Sequence, residues 1–227
     1  MKIGILQTGH APDEIQDQLG DYDAMFGRFL ADQGFTFETF DVVDMAFPDS
    51  VTACDGWLVT GSRHGAYEDH PFIPPLEDFI RAARDRDVPM VGVCFGHQII
   101  AQALGGKVVK FTGGWAVGRQ TYRWGDDEIA LNAWHQDQVV TLPADAKCVA
   151  RNDFCENAAV VYGRHAFTVQ PHPEFGDTMI AGLVKLKGPG VVPDPLLAVV
   201  AANMNKPNAN QKLAVMVAQF FRERQIA

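Results

Sequence analysis

The segment from Val88 to Gly96 places the strongest limit on how this chain can fold. Val88–Val93 is an almost unbroken apolar run, which favours a strand buried on both faces, as in a parallel sheet with helices on either side. The run ends in a glycine, any residue, Cys94, any residue and a second glycine, and helical spacing follows over residues 97–104. This is the pattern of a nucleophile elbow with cysteine in the place of serine. The segment therefore predicts an α/β fold with a reactive thiol where a strand turns into a helix.

The rest of the chain repeats the alternation of strand and helix that is typical of α/β proteins. Further strands are predicted over residues 2–7, 35–42 and 56–60, and further helices over 22–33, 74–86, 178–187, 195–203 and 210–225. Between residues 107 and 169 short strand-like runs lie close together, over 129–133, 158–162 and 166–170, which predicts a small, more antiparallel section. The 227 residues fit a single domain, residues 1–227, in which a mainly parallel central sheet is flanked by helices.

Composition and charge exclude several classes of function. The net charge of -9 would repel nucleic acid and an anionic membrane surface. The apolar run at the N-terminus ends at Gln7, and no run approaches the length that spans a bilayer, so we expect neither a signal peptide nor a membrane segment. Four cysteines in a chain of this length do not suggest a disulfide framework, and we expect a reducing, cytoplasmic location.

Cys94 is the predicted nucleophile because of the residues that surround it. Only glycine lets neighbouring backbone pass close to a residue held in so tight and strained a turn. The turn also puts the sulfur at the N-terminus of a helix, whose dipole favours the thiolate. The alternative is a buried cysteine with a structural role alone, which is the interpretation given to Cys54, Cys148 and Cys155.

A nucleophilic thiol requires a histidine as its base, and His172 is the strongest candidate among the seven in the chain. It follows the predicted strand 166–170 and lies between Pro171 and Pro173, which exclude a helix there. In extended backbone, residues two apart project to the same side, so Glu174 can hydrogen-bond the imidazole and hold its tautomer. The order cysteine, histidine, glutamate differs from α/β-hydrolases, whose acid lies between nucleophile and histidine. The alternative for His172 is an ordinary histidine of a surface loop.

Three segments resemble motifs of the class I glutamine amidotransferases. The run from Val91 to Ile100, followed by Gly105 and Gly106, resembles their nucleophile motif, and Pro171–Phe175 resembles their His-Pro-Glu motif. Residues 134–139 resemble the H-x-D-x-V segment of glutaminase domains of the GMP synthetase kind. The motifs occur in the order of the family, and the resemblance extends over residues 2–175. It implies a flavodoxin-like α/β fold and similarity to stand-alone γ-glutamyl peptidases of that fold.

The resemblance also implies a mechanism. The Cys94 thiolate would attack the γ-carboxamide of glutamine or of another γ-glutamyl compound, His172 would protonate the leaving ammonia or amine, and water would hydrolyse a γ-glutamyl thioester. The oxyanion would be held by the N–H of Phe95 and by that of Gly61 or Ser62, in the loop after the third strand. At this loop the family commonly has two glycines followed by proline, so this chain departs from the pattern.

The residues that would hold the glutamyl group are also implied by the resemblance. Gln98 and the backbone around Trp134, Gln136 and Asp137 would bind its α-amino and α-carboxylate groups. His135 belongs to the same segment. The alternative for His135 and Asp137 is a turn with a structural role only.

No cofactor or metal site is predicted, since the chain has no H-E-x-x-H or C-x-x-C motif and no phosphate-binding loop G-x-x-x-x-G-K-[ST]. The expected ligand is a small molecule, glutamine or a γ-glutamyl amide or peptide. Three functions remain open: hydrolysis of such an amide by the chain alone, a glutaminase subunit that delivers ammonia to a separate synthetase, and a binding protein of the same fold without catalysis. Residues 94–101 are similar to the stand-alone members of the family, which favours the first.

Overall fold

The structure is a computed structural model that describes residues 1–226. Over these residues the strands are β1 Lys2–Leu6, β2 Thr36–Phe40, β3 Gly56–Val59, β4 Met90–Val93, β5 Lys107–Lys110, β6 Ala116–Trp124, β7 Asp127–His135, β8 Asp137–Thr141, β9 Ala146–Arg151, β10 Ala159–Tyr162 and β11 Ala166–Val169. The helices are α1 Asp13–Leu19, α2 Tyr22–Phe29, α3 Ile73–Asp85, α4 Phe95–Ala103, α5 Asp177–Lys187, α6 Asp194–Asn203 and α7 Asn210–Glu223.

One nine-stranded sheet runs through the described residues in the order β2-β1-β3-β4-β11-β10-β9-β6-β7. Its first five strands are parallel to one another, and β4 lies between β3 and β11. The other four continue the sheet as antiparallel neighbours. A separate two-stranded sheet is formed by β5 and β8. The predicted α/β fold with its parallel centre is confirmed, and the antiparallel section is larger than the sequence indicates.

The strand that leads into the elbow, β4, is covered on both faces, as its apolar run predicts. On one face Met90 belongs to a core that α3 and α4 share. On the other face Val91 and Val93 belong to a core formed with α2 and α7. Each such side chain stabilises the fold by roughly 1.5–3 kcal/mol when it is fully buried, so β4 is held firmly between two helical layers.

Two helix boundaries differ from the sequence prediction for local reasons. The helix predicted over residues 22–33 ends at Phe29, because the chain tightens there into a 3₁₀ turn over Ala31–Gln33. Helix α4 begins at Phe95 rather than at residue 97, since Cys94 has already left the strand with a positive φ. The elbow is therefore sharper than the sequence pattern indicates.

Two kinds of element lie outside the sequence prediction altogether. Helix α1 has seven residues and buries Ile15 alone, which leaves almost no periodic apolar signal. Strands β5, β6, β8 and β9 also lack strict alternation of buried and exposed positions, so period-two reasoning does not find them. Among residues 1–226 no helix combines the length and the apolar character that crossing a membrane requires.

The parallel strands bring three distant segments of the chain to one edge of the sheet. Val59 near the end of β3 pairs with Gly92, and Val93 at the end of β4 pairs with Val169 at the end of β11. The segments that follow these strands therefore leave the sheet side by side. In open α/β sheets, ligands bind outside this carboxyl edge.

Candidate active site

The elbow at Cys94 has the strained backbone that its glycines predict. Cys94 has φ 54° and ψ -103°, a conformation that a residue with a side chain rarely adopts. A Cβ atom at Gly92 would lie 2.4 Å from the carbonyl oxygen of Gly96, and one at Gly96 would lie 2.1 Å from that of Val59. The Cys94 N–H donates to Val169 O at 2.9 Å, and the Gly96 N–H donates to Thr60 O at 3.0 Å. Both glycines are thus required, and the elbow is tied to the strands on either side.

The thiol of Cys94 and the imidazole of His172 meet at Gly61. A Cβ at Gly61 would lie 3.0 Å from His172 Cε1 and 3.8 Å from Cys94 Cβ, so both side chains face the same glycine. The two groups are also coupled electrostatically, since a Cys94 thiolate raises the pKa of His172. Since Cys94 is the N-cap of α4, the positive end of the helix dipole lies beside its sulfur.

His172 is held on several sides. Its Nδ1–H donates to Glu174 Oε1 at 2.7 Å, and the side chain of Glu174 is fully buried. The Phe175 ring stacks on the imidazole, with centroids 3.9 Å apart and planes 3° from parallel. The His172 N–H donates to Asn132 O on β7 at 2.8 Å. The imidazole is therefore fixed in position and in tautomer, and with Nδ1 bonded to Glu174, Nε2 is the nitrogen left for proton transfer.

Electrostatics favour the charged form of this imidazole. Burial alone would lower the pKa of His172, but the negative charge of Glu174, that of a Cys94 thiolate and hydrogen bonds to both raise it above its ordinary value. The arrangement can therefore stabilise a thiolate–imidazolium pair, with Glu174 supporting the positive member.

Two residues that support this group lie outside the predicted set. Tyr22 stacks on Phe175, with ring centroids 6.3 Å apart, and both rings are buried. Asn132 donates from Nδ2 to Phe175 O at 2.9 Å. Phe175 itself is the last residue of the segment that resembles the His-Pro-Glu motif, so the sequence already points to it. Tyr22 and Asn132 carry no such signal, because only the folded chain brings them here.

The predicted oxyanion residues surround the thiol. Phe95 is the first residue of α4, so its N–H has no acceptor within the helix. Gly61 faces the thiol, and Ser62 lines the cleft beside it. The Ser62 hydroxyl accepts a hydrogen bond from the His64 N–H at 3.1 Å, which orders the turn that follows.

The five predicted substrate-binding residues line the same cleft as Cys94 and His172. They are Gln98, Trp134, His135, Gln136 and Asp137. Gln98 donates from Nε2 to Asp137 O and to Gln170 Oε1, both at 3.1 Å. His135 is buried, and its Nδ1–H donates to Asp137 O at 3.2 Å. The hydrogen bonds from Gln98 and His135 therefore hold the backbone of Asp137 in place.

The cleft extends well beyond the thiol, with a volume of about 740 Å³. One wall is aromatic, with Trp115 and Trp134 6.4 Å apart between ring centroids. Acidic side chains of Asp13, Glu14 and Asp44 line another part.

The other three cysteines lie outside the cleft. Burial raises the pKa of the Cys155 thiol to about 12, and burial is also the main cause of the raised pKa of Cys54 and Cys148. All four cysteines are free thiols. Within the described chain Cys94 is thus the cysteine placed for chemistry in the cleft.

Comparisons with known sequences and structures indicate the family of this chain. The family profile described as "Glutamine amidotransferase class-I" matches residues 22–181. Gamma-glutamyl peptidase 4 of Arabidopsis thaliana is 29% identical, with 91% of this chain and 89% of that protein aligned. One subunit of the glutamine-hydrolyzing GMP synthase of Methanopyrus kandleri is 34% identical over 45% of this chain and 63% of its own length.

A solved structure shares the whole fold. The glutamine amidotransferase of Methylobacillus flagellatus superposes with a TM-score of 0.77 at 21% identity, over 100% of this chain and 96% of that chain. The family profile covers most of the residues that build the sheet and its carboxyl edge. This protein therefore belongs to the class I glutamine amidotransferase family.

Proposed function

We propose that this protein is a cysteine-dependent hydrolase of γ-glutamyl amides, with Cys94 as nucleophile, His172 as acid and base, and Glu174 as the residue that orients His172. The observation that carries the proposal is that the side chains of Cys94 and His172 both face Gly61. On its other side, the imidazole is hydrogen-bonded from Nδ1 to Glu174 Oε1 at 2.7 Å. Family membership supports amide chemistry at the γ-carbonyl of a glutamyl group.

In the first half of the reaction, the Cys94 thiolate forms a bond to the γ-carbonyl carbon and the carbonyl electron pair moves onto oxygen. The N–H groups of Phe95 and of Gly61 or Ser62 would hold this oxyanion. Loss of one such donor typically costs about 10²- to 10³-fold in rate. The C–N bond then breaks as the His172 imidazolium donates its proton to the leaving nitrogen, and a γ-glutamyl thioester remains.

In the second half, neutral His172 takes a proton from water, and the hydroxide attacks the thioester carbon. The C–S bond breaks, glutamate is released, and the thiolate–imidazolium pair is restored. Glu174 accepts the Nδ1–H throughout, so Nε2 always faces the reacting atoms. Because Glu174 is fully buried, it acts through His172 and does not touch the substrate.

We further propose that residues 134–137 hold the α-amino and α-carboxylate groups of the glutamyl moiety, with Gln98 as their brace. The support is positional, since these residues line the cleft beside the thiol. The Asp137 carbonyl already accepts hydrogen bonds from Gln98 and His135, so a ligand would contact the carboxylate, which interacts with Tyr67.

The size of the cleft favours a leaving group larger than ammonia. Its volume of about 740 Å³ is in the range that holds a drug-sized molecule, which exceeds a single amino acid. The γ-glutamyl peptidase of Arabidopsis also aligns with twice as much of this chain as the GMP synthase subunit does. We therefore favour γ-glutamyl peptides or amines over glutamine as substrates, in a cytoplasmic setting that keeps the thiols reduced.

A second candidate function is that of a glutaminase subunit that supplies ammonia to a separate synthetase. The similarity to a glutamine-hydrolyzing GMP synthase subunit is the observation that favours it. A glutaminase subunit would differ from the proposed hydrolase in needing its synthetase partner for turnover.

The test is a turnover assay of the purified chain with glutamine and with a panel of γ-glutamyl amines and dipeptides. We expect release of glutamate without any partner, and faster release from dipeptides than from glutamine. Negligible turnover of every substrate, restored by a synthetase, would support the second candidate instead.

Labelling with a glutamine-analogue electrophile tests the nucleophile directly. We expect one label per chain, abolished by Cys94→Ala and unaffected by the matched control Cys148→Ala. Full labelling of Cys94→Ala would show that the electrophile reacts with another residue and that Cys94 is not the nucleophile. No labelling of the unmodified protein, together with no turnover, would leave only a binding protein of this fold.

A further inference from the structure

The loop after β3 carries two histidines and a glutamate whose ligand atoms converge, here called the His64–Glu68–His70 cluster. One nitrogen of each imidazole and one carboxylate oxygen all lie within 4.8 Å of one another. Glu68 Oε2 is 2.9 Å from His70 Nε2 and 4.0 Å from His64 Nδ1. The two imidazole centroids are 4.0 Å apart. The three side chains are partly exposed, so a solute can reach them.

These distances are close to those of a tetrahedral zinc site. Zn²⁺ binds imidazole nitrogen and carboxylate oxygen at about 2.0–2.2 Å, which separates neighbouring ligand atoms by about 3.3 Å. The two distances from Glu68 Oε2 lie on either side of that value. Small side-chain rotations would therefore complete the geometry. Two histidines and one glutamate also form the ligand set of open zinc sites, which leave a fourth position to a small ligand.

The loop is ordered by its own contacts. The Gly65 N–H donates to Glu68 Oε2 and the Glu68 N–H donates to Gly65 O, both at 3.0 Å. The buried ring of Phe72 lies 5.9 Å from the His64 ring and 6.0 Å from the His70 ring. A site that is ordered before binding loses little conformational entropy when the ion arrives.

We propose that the His64–Glu68–His70 cluster is a zinc-binding site at the mouth of the cleft. His64 and Glu68 both line the cleft, so the open position of the ion would face it. The spacing H-x-x-x-E-x-H differs from the helical H-E-x-x-H motif, and it forms a site here because the loop turns back on itself. Without an ion, Glu68 joins the two histidines through a hydrogen bond with His70 and a looser approach to His64.

The test is a titration of the metal-free protein with zinc chloride by isothermal calorimetry. It is done in the Cys94→Ser background, which removes the thiolate that would also bind zinc. We expect one ion per chain. Loss of a group that only orients a metal ligand lowers metal affinity by about 10- to 100-fold. The double variant His64→Gln/His70→Gln removes two ligands themselves, so its zinc affinity should fall by at least that factor. The assay measures binding alone and does not depend on the proposed hydrolase activity.

The matched control is His10→Gln, which removes another histidine of the cleft. His10 hydrogen-bonds Asp21 through Nδ1 and Asp44 through Nε2, on opposite sides of its ring, so these carboxylates cannot share one ion with it. We expect zinc affinity to be unchanged in this variant. Equal affinity in the double variant and its parent, or a loss in His10→Gln as large as in the double variant, would overturn the proposal.

A spectroscopic measurement covers the case in which the double variant does not fold. Cobalt(II) added to the Cys94→Ser protein should give the visible bands of a tetrahedral ion with nitrogen and oxygen ligands. Strong sulfur-to-cobalt charge transfer, or the absence of tetrahedral bands, would contradict the assigned ligands.

Discussion

His172 and His135 line the same cleft and are both buried, yet their imidazoles are in opposite electrostatic environments. Burial lowers the pKa of His135 to about 3, and its Nδ1 faces a backbone carbonyl. At His172 the effect of burial is outweighed by Glu174 and Cys94, and the pKa is raised. Burial alone therefore does not decide the charge of a cleft histidine, whereas a buried carboxylate within hydrogen-bonding distance does.

The comparison separates a reactive histidine from a structural one. His172 can hold a proton and pass it on, because its charged form is stabilised. His135 stays neutral at physiological pH, which suits a residue that braces the Asp137 backbone.

The largest expected effect comes from removing the sulfur that faces His172. Cys94→Ala should reduce turnover by about 10⁴-fold or more, since no other group can form the thioester. The measurement is kcat on the best substrate of the panel, with Cys148→Ala as the control of normal rate. A rate within tenfold of normal in Cys94→Ala would show that the thiol is not the nucleophile.

The second largest effect is the loss of kcat on replacing His172, measured against the same replacement at His135. His172→Asn should leave the protein folded and lower kcat by about 10²-fold or more, as loss of an acid–base group does. His135→Asn should lower kcat less, because it removes a brace and no proton transfer. Kinetics and thermal melting of both variants check this, and equal losses in kcat would contradict the distinction between them.

Glu174→Gln should give His172 an electrostatic environment like that of His135. Without the carboxylate charge, burial dominates, and the pKa of His172 should fall. We expect a loss of roughly 10-fold in kcat/KM, smaller than that of His172→Asn, and an alkaline limb of the pH–rate profile that moves to lower pH. Exposed Glu128→Gln on β7 is the control. A large drop in melting temperature would instead mean that Glu174 is needed for the fold.

The smallest effect concerns stability in acid. His97 and His135 have a pKa of about 3 in the folded protein, lowered chiefly by burial, against about 6.5 in an unfolded chain. Between these values the unfolded chain binds more protons. Their contribution to the free energy of unfolding is thus complete above about pH 6.5 and falls as pH drops, by about 1.4 kcal/mol per pH unit for each histidine.

Urea unfolding at several pH values between about 7 and 5 measures this slope. His135→Gln should reduce the slope of the unfolding free energy against pH by the contribution of one histidine, about 1.4 kcal/mol per pH unit. An unchanged slope would contradict the argument that burial lowers the pKa of His135. His172 acts with the opposite sign: its raised pKa stabilises the folded state below about pH 6.5, and this contribution is lost as pH rises through the folded value.

Much of the fold and of the candidate site could be predicted from local sequence. The elbow follows from Gly92, Cys94 and Gly96, because the clash of a Cβ with nearby backbone is a steric property of the turn itself. The pairing of His172 with Glu174 follows from two prolines and a spacing of two residues. The covering of β4 on both faces follows from its apolar run.

The remainder depends on contacts between distant parts of the chain. Tyr22 stacks behind Phe175 and Asn132 bridges to His172 only because α2 and β7 pack against the loop after β11. The cleft and its aromatic wall depend on the same packing. Such contacts leave no periodic trace in the sequence.

The sequence by itself thus determined the parallel α/β centre, the strained thiol and the histidine–glutamate pair, since local sterics and spacing specify each of them. Tertiary structure alone decided that β11 lies beside β4, which brings His172 to the thiol across a long stretch of chain. It also decided the convergence of His64, Glu68 and His70. The physical reason is that pairing and packing between distant segments are selected by the burial of the whole core, which no local pattern encodes.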